Sequence, residues 1–446
     1  MKKQYFLLGI LILLLAAQQW PAFEETHQLT QASRLTELGK IHKAKKTSQK
    51  EKSFLNDPAM SKAWGFQDKH TAIQKAWKKL KAYGSKRVVV AIIDTGIDVS
   101  HPDLQNNLWT NPGEVGIDDQ GNDKSTNGID DDGNGYVDDV HGWNFVNNSP
   151  DLTDNHGHGT HIAGIIGAEG GNGIGISGVS PRVSLMILKY FDPKAPQTNN
   201  LINTVRAIKY AIKMKANIIN YSGGGLQPSE EEKQAIALAA KHNILFVAAA
   251  GNEQSNSDNR PYYPADYPLS NIISVTAFDR TQNILPSSNF GERTVDIAAP
   301  GNNIYSTLPH NSYGYMTGTS QATAFVTGVA ALILARFPDF KPSQIIRHIN
   351  NTGDFAPHRL AGKTRYKKRL NAFRALSMLD HEVNVDGSIT TNTQNMKPIS
   401  ISSAPTTTAS TSEPLVHVLK ESQNILQALK RSQQIISGEV KAVKGF

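Results

Sequence analysis

Short apolar runs recur through the middle of the chain, at residues 88–93, 183–188, 218–221, 244–249, 272–275 and 295–298, and read as strands. Between them lie stretches with apolar residues at three- and four-residue spacing, which predict helices over 201–215 and 229–242. A third helix is predicted over 320–337. It is apolar on nearly every face, so it is expected to run through the core rather than along the surface. Strands alternating with helices in this way are the mark of a parallel sheet. The pattern predicts an α/β fold, a doubly wound and mostly parallel central sheet flanked by helices, over residues 57–380.

The flanks read differently. Lys2 and Lys3 precede an apolar run from Tyr5 to small residues at Ala16 and Ala17, the grammar of a secretory signal, expected over 1–22. Residues 23–56 are polar and Lys-rich and are expected to form a short pro-segment or linker. Residues 381–413 are rich in Ser, Thr, Asn and Pro without period, as in a flexible linker. In 414–446, Leu415, Val418, Leu419, Ile425, Leu426, Leu429, Ile435 and Ile436 sit at helical spacing, an amphipathic tail suited to a helix partner.

Composition narrows the chemistry. The chain has no cysteine, which removes a thiol nucleophile, a cysteine-ligated zinc and a disulfide framework. A net charge of +7 over 446 residues is mild, so nucleic acid is not an expected partner. After signal cleavage no membrane span is expected, and the location is read as secreted, periplasmic or extracellular.

Three motifs carry the candidate chemistry. The first predicted strand ends in Asp94-Thr95-Gly96, at the edge where open α/β sheets keep their sites. His158 lies in His158-Gly159-Thr160-His161. Ser320 heads the buried helix in Gly318-Thr319-Ser320, where free N–H groups favour a negative oxygen. Serine attacks an acyl carbon only if a base takes its proton. Imidazole does so near neutral pH, and a carboxylate fixes its tautomer. Asn252, after the 244–249 strand, offers an amide to the oxyanion.

Ile93-Asp94-Thr95-Gly96-Ile97-Asp98, His158-Gly159-Thr160-His161-Ile162-Ala163-Gly164, Ala250-Gly251-Asn252-Glu253 and Gly318-Thr319-Ser320 resemble the motifs of the subtilisin-like serine peptidases, in that family's order. The resemblance implies a secreted endopeptidase acting on proteins or peptides. It also implies that Ser222, Gly223 and Gly224 form the edge that pairs with an extended substrate, and that Glu253 lies at the rim of the first specificity pocket. Gln321 departs from the usual methionine, and Tyr262 takes the place of a small residue at the pocket floor. A structural calcium on Asp57, Asp103 and Asn172 is implied as well.

Between Asp118 and Asp139 eight aspartates face only Lys124. Asp130, Asp132, Asn134, Gly135 and Asp138 occupy positions 1, 3, 5, 6 and 9 of a calcium-loop pattern, with His141 in place of Glu at position 12. A second Ca2+ is therefore expected on Asp130, Asp132, Asn134 and Asp138. Two rival functions are set against the peptidase. One is a metallohydrolase using His156, His158 and His161. The other is a non-catalytic binding protein of the same shape.

Overall fold

The computed structural model describes residues 57–378. The segments 1–56 and 379–446, with the expected signal, pro-segment, linker and tail, lie outside the described residues. The strands are β1 (Gly84–Asp94), β2 (Gly142–Asn144), β3 (Arg182–Lys189), β4 (Ile218–Tyr221), β5 (Leu245–Ala249), β6 (Ile272–Phe278), β7 (Ile297–Pro300), β8 (Ile304–Leu308), β9 (Ser312–Met316), β10 (Asp354–Phe355) and β11 (Lys368–Arg369). The helices used below are α1 (Ile73–Leu80), α2 (His158–Gly167), α3 (Asn200–Lys213), α4 (Glu230–Lys241), α5 (Thr319–Arg336) and α6 (Pro342–Thr352).

Among the described residues nine strands form one sheet in the order β10-β11-β7-β6-β5-β4-β1-β3-β2. Every pairing is parallel except β10 with β11. Strands β8 and β9 make a separate antiparallel hairpin.

The period-two alternation of β1 divides the core. Val90 and Ile92 face one apolar cluster, which also holds Ile162 and Ile166 of α2 and the length of α5. Ala91 and Ile93 face the other, with Ala207 and Ile208 of α3 and Ile236 of α4. Both faces are thus covered, as a parallel sheet requires. Helix α5 is buried from Thr319 to Leu334, in keeping with its all-round apolar sequence.

Helices α3 and α4 begin on side-chain caps. Asn199 accepts the Ile202 N–H at 3.1 Å, and Ser229 accepts that of Glu232 at 3.2 Å. Among the described residues no helix is long and apolar enough to cross a membrane.

The position of β1 marks where a ligand site is expected. Its neighbours are β3 on one side and β4 on the other, so the chain winds outward in both directions from β1. Parallel sheets of this kind open a crevice at the carboxyl ends of the strands flanking such a switch. Asp94 is the last residue of β1.

Candidate active site

Asp94 is 3 % exposed, and its Oδ1 accepts the Thr95 N–H at 2.8 Å. The same oxygen lies 2.7 Å from His158 Nδ1, 64 residues along the chain. His158 opens α2 after Gly157, whose φ of 92° puts it in the left-handed region that glycine adopts freely. Gly159 allows the approach: a Cβ there would lie 2.1 Å from the Gly96 carbonyl oxygen, so any side chain would push α2 off the Asp94 turn.

Asp154 braces this junction, and the sequence reading missed it. Its Oδ1 accepts from the Thr95 hydroxyl at 2.8 Å and the Gly157 N–H at 2.7 Å, and its Oδ2 accepts from the N–H and hydroxyl of Thr160 at 2.9 and 2.7 Å. Burial pushes its carboxyl upward, but the donors from Thr160, Gly157 and Thr95 outweigh that and hold it below the usual range. The signal available in sequence was an aspartate one helical turn ahead of His158. His158 itself is shifted upward. Burial opposes its cation, while the charge and hydrogen bond of Asp94 and the charge of Asp154 favour it more strongly.

Ser320 is the second residue of α5, so its backbone N–H is among those with no partner inside the helix. Its hydroxyl donates to the Ser222 carbonyl at 3.2 Å. Asn252 is exposed beside it. Its Oδ1 accepts from the N–H and hydroxyl of Thr319 at 3.0 and 3.2 Å, so Nδ2 is the amide atom that remains to donate. Gln321 is buried against the same helix start.

Ser222, Gly223 and Gly224 follow β4 directly. A Cβ on Gly223 would lie 2.3 Å from the Tyr190 hydroxyl, and one on Gly224 would lie 2.5 Å from the Tyr262 ring. Tyrosines therefore occupy the space that side chains at these positions would need. The Tyr262 ring also approaches Gly251, at 3.0 Å from its Cβ position. Burial and then the charge of Glu253 push its hydroxyl up to about 12. Glu253 is held by Asn289, whose Nδ2 donates to its carboxylate at 2.7 Å.

The metal-ligand candidates divide into two groups. Asp57 accepts the N–H groups of Gly171 and Gly173 at 2.8 and 3.0 Å and the Ser177 hydroxyl at 2.6 Å. Asp103 accepts from Asn172 Nδ2 at 2.7 Å, the Ile176 N–H at 3.0 Å and the Tyr313 hydroxyl at 3.1 Å. Burial, helped by the charge of Asp57 against these hydrogen bonds, pushes Asp103 up to about 6. Asp57 and Asp103, from separate segments, thus both bond to the 171–177 loop that carries Asn172. In the acidic segment Asp130 and Asp132 converge on the Asn134 N–H, both at 2.9 Å. Asn134 turns its amide to Asp139 at 2.9 Å, and Asp138 accepts from Gly128 at 3.2 Å.

The three histidines do not converge. His158 Nδ1 is taken by Asp94, and His161 is buried with Nε2 on the Ile304 carbonyl at 3.0 Å. Burial, and next the charge of His158, lower His161 to about 4, so it stays neutral at ordinary pH. The rings of His156 and His158 meet edge to face at 6.1 Å, a packing contact that shares no ligand position. This geometry removes the metallohydrolase alternative.

Comparison with known proteins points one way. The model of peptidase family S8, the subtilase family, matches residues 85–376. Thermitase of Thermoactinomyces vulgaris is 34% identical over 323 residues, covering 72% of this chain and 98% of thermitase. Subtilisin-like protease 1 of Plasmodium berghei (strain Anka) is 34% identical over 318 residues, 68% of this chain and 51% of that protein. Among solved structures, fervidolysin from Fervidobacterium pennivorans, a keratinolytic enzyme related to subtilisin, matches with a TM-score of 0.58 and 27% identity over 74% of this chain and 47% of its own. The match thus spans about half the length of the Plasmodium protease and of fervidolysin. With a family model covering most of the described residues and a relative matched almost end to end, the chain belongs to the subtilase family of subtilisin-like serine proteases.

Proposed function

We propose that this chain is a secreted serine endopeptidase with Asp94, His158 and Ser320 as its catalytic triad. The observation that carries the reading is the 2.7 Å contact between buried Asp94 and His158 at the switch point of the sheet, beside the N-terminal turn of α5 that bears Ser320. Ser320 Oγ attacks the scissile carbonyl carbon, and its proton passes to His158 Nε2. The oxyanion takes hydrogen bonds from the Ser320 N–H and Asn252 Nδ2. His158 then gives the proton to the leaving amine nitrogen, and the acyl ester on Ser320 is hydrolysed by water through the same cycle.

Substrate enters this cycle along Ser222, Gly223 and Gly224. The Ser222 carbonyl that holds the Ser320 hydroxyl is also an acceptor for the N–H of an extended peptide. Docking of a peptide there releases the hydroxyl to turn toward His158. Glu253 stands at the rim of the neighbouring pocket, whose interior the Tyr262 ring narrows. Export, carried by the pattern of Met1 to Ala17, belongs to the same proposal. So does a calcium ion on Asp57, Asp103 and Asn172. Asp57 and Asp103, from separate segments, both bond to the 171–177 loop that carries Asn172, and neither carboxylate pairs with lysine or arginine among the described residues, a set of oxygen donors that fits this cation. Bound there, calcium neutralises the carboxylates and holds the loop.

The reading is tested by a serine-directed phosphonofluoridate and a peptide library. Covalent label on Ser320 together with internal cleavage of peptides is the expected result. Neither label nor cleavage would leave the non-catalytic binding protein. A narrower expectation concerns Asn252, whose amide acts only once the oxyanion has formed. Asn252→Ala is expected to lower kcat by roughly 10²–10³ with little change in KM, the magnitude known for the matching donor in a related subtilase. Steady-state kinetics on one peptide decide it, and an unchanged kcat removes Asn252 from the site.

A further inference from the structure

Four segments far apart in the chain are stitched together beside the β10–β11 edge of the sheet, and each brings a cation. The turn after β6 is tied to the 64–71 segment by Gln282 Nε2, which donates to the Lys69 carbonyl at 2.8 Å. The same turn accepts Arg359 Nη1 on Asn283 Oδ1 at 2.6 Å. The chain leaving β11 closes on the 64–71 segment as well, with the Ala372 N–H on the Thr71 carbonyl at 2.7 Å. Lys69, Arg280, Arg359 and Arg369 are thereby drawn around Trp64 and His70. The His70 ring meets that of Trp64 edge to face at 4.6 Å, and the Arg280 guanidinium lies 5.8 Å from the Trp64 ring centre.

Two side chains in this group are buried without a partner. Arg369 is half-buried, and its Nε and Nη1 are shut from solvent with no acceptor. Asp354 stands opposite Arg369 in the β10–β11 pair, yet its carboxylate takes the Asn371 amide at 2.8 Å and makes no ion pair with the guanidinium. His70 is 1 % exposed, and its Nδ1 has no partner either. Burial, and then the positive charges of Lys69, Arg369 and Arg280, lower its pKa to about 4. No negative charge opposes them.

The other cations of this part of the chain are neutralised. Arg293 pairs with Asp258 at 3.9 Å, Arg365 with Asp296 at 3.5 Å and Lys367 with Glu292 at 3.3 Å. Among the described residues Lys69, Arg280, Arg359 and Arg369 pair with no carboxylate. Like charges gathered around buried donors that lack acceptors destabilise the folded chain unless an anion enters.

We infer that Lys69, Arg280, Arg359 and Arg369 form a binding site for a phosphate group, free or as a monoester. Guanidinium groups match phosphate oxygens in geometry and charge. Donors arriving from four segments suit an anion with three or more oxygens better than a carboxylate with two. Lys69, Arg280 and Arg359 are exposed, so the anion reaches half-buried Arg369 from solvent. In the sheet order β7, β6, β5 and β4 stand between β11 and β1, so an occupant here leaves the crevice at Asp94 open. Phosphate on a polymer can thus hold the chain without filling the crevice.

The test titrates inorganic phosphate into the full chain by calorimetry, at constant ionic strength with chloride as the balancing ion. Saturable binding of a single phosphate per chain is expected. Arg369→Gln is expected to weaken it by roughly 10- to 100-fold, the range for losing a hydrogen bond to a charged group. Arg182→Gln, at the start of β3 on the far side of the sheet, is expected to leave the affinity unchanged. If Arg369→Gln does not fold, the double variant Arg280→Gln with Arg359→Gln, both at exposed positions, is expected to weaken binding by about 10-fold or more. The ring signals of His70, assigned by their loss in His70→Gln, are expected to shift with the same Kd. Heat that does not saturate, or an equal Kd in the site variants, overturns the proposal. Glycerol phosphate that binds as tightly as inorganic phosphate identifies a monoester as the ligand, and binding of inorganic phosphate alone identifies the free ion.

Discussion

Replacing Ser320 by alanine is expected to lower kcat for peptide cleavage by about a millionfold while the thermal midpoint stays near that of the parent. The magnitude is that of a related subtilase, in which the nucleophile and the histidine act as one unit. The physical reason lies in the local geometry. The Ser320 hydroxyl makes one hydrogen bond, to the Ser222 carbonyl, and sits at the start of a helix whose burial depends on Ala322, Phe325, Val326 and the residues beyond, not on this oxygen. Removing it deletes the proposed nucleophile and little else. Initial rates on a fluorogenic peptide, with a thermal melt of the same preparation, check both halves. Turnover at the parent's rate in a pure preparation would remove Ser320 from the mechanism.

Asp94→Asn is expected to cost about 10⁴ in kcat, the size seen when a triad carboxylate becomes an amide and the imidazole takes the wrong tautomer. A second readout separates this from damage to the fold. Burial disfavours the His158 cation, and it is chiefly the charge and hydrogen bond of Asp94 that raise the pKa above the ordinary 6.5. The base works only when neutral. In the parent, kcat/KM should therefore fall as pH drops through a value above 6.5, with the enzyme active on the alkaline side. In the variant the midpoint of that acid limb should move down, because the charge that favoured protonation is gone while burial stays. A limb that stays in place would show that His158 does not titrate against Asp94.

The fold was legible wherever local pattern and tertiary role coincide. The runs at 218–221 and 244–249 match β4 and β5 to within a residue, because a strand buried on both faces must be apolar along its whole length. Helix α5 was legible for the same reason. Helix α2 was not. Its sequence, His-Gly-Thr-His-Ile-Ala-Gly-Ile-Ile-Gly, carries three glycines and several β-branched residues, a poor helix by propensity alone. It forms because nine of its ten residues are buried against β1, β8 and α5. The β8–β9 hairpin was also missed. Tyr305, Tyr313 and Tyr315 clothe it with aromatic contacts that no period announces.

The candidate site divides along the same line. Asp94, His158, Asn252 and Ser320 stand out in sequence because each sits in a short motif whose glycines and small residues have local work to do, as Gly157 and Gly159 do around His158. Asp154 and Arg369 carry no such motif. Their importance comes from what other segments bring to them: Thr95 and Thr160 to Asp154, and the cations of the 64–71 segment and the 279–283 turn to Arg369. The same holds for Tyr190 and Tyr262, which fill the spaces left by Gly223 and Gly224.

By itself, then, the sequence determined the α/β class, the absence of thiol chemistry and the four motifs, all properties carried by residue type and near-neighbour spacing. Tertiary structure alone decided that β1 is the strand from which the sheet winds both ways, that a carboxylate and an imidazole 64 residues apart meet at 2.7 Å, and that cations from separate segments gather beside one edge of the sheet. The reason is physical: local chemistry is written in the chain, whereas burial and charge proximity arise only when separate segments exclude water together.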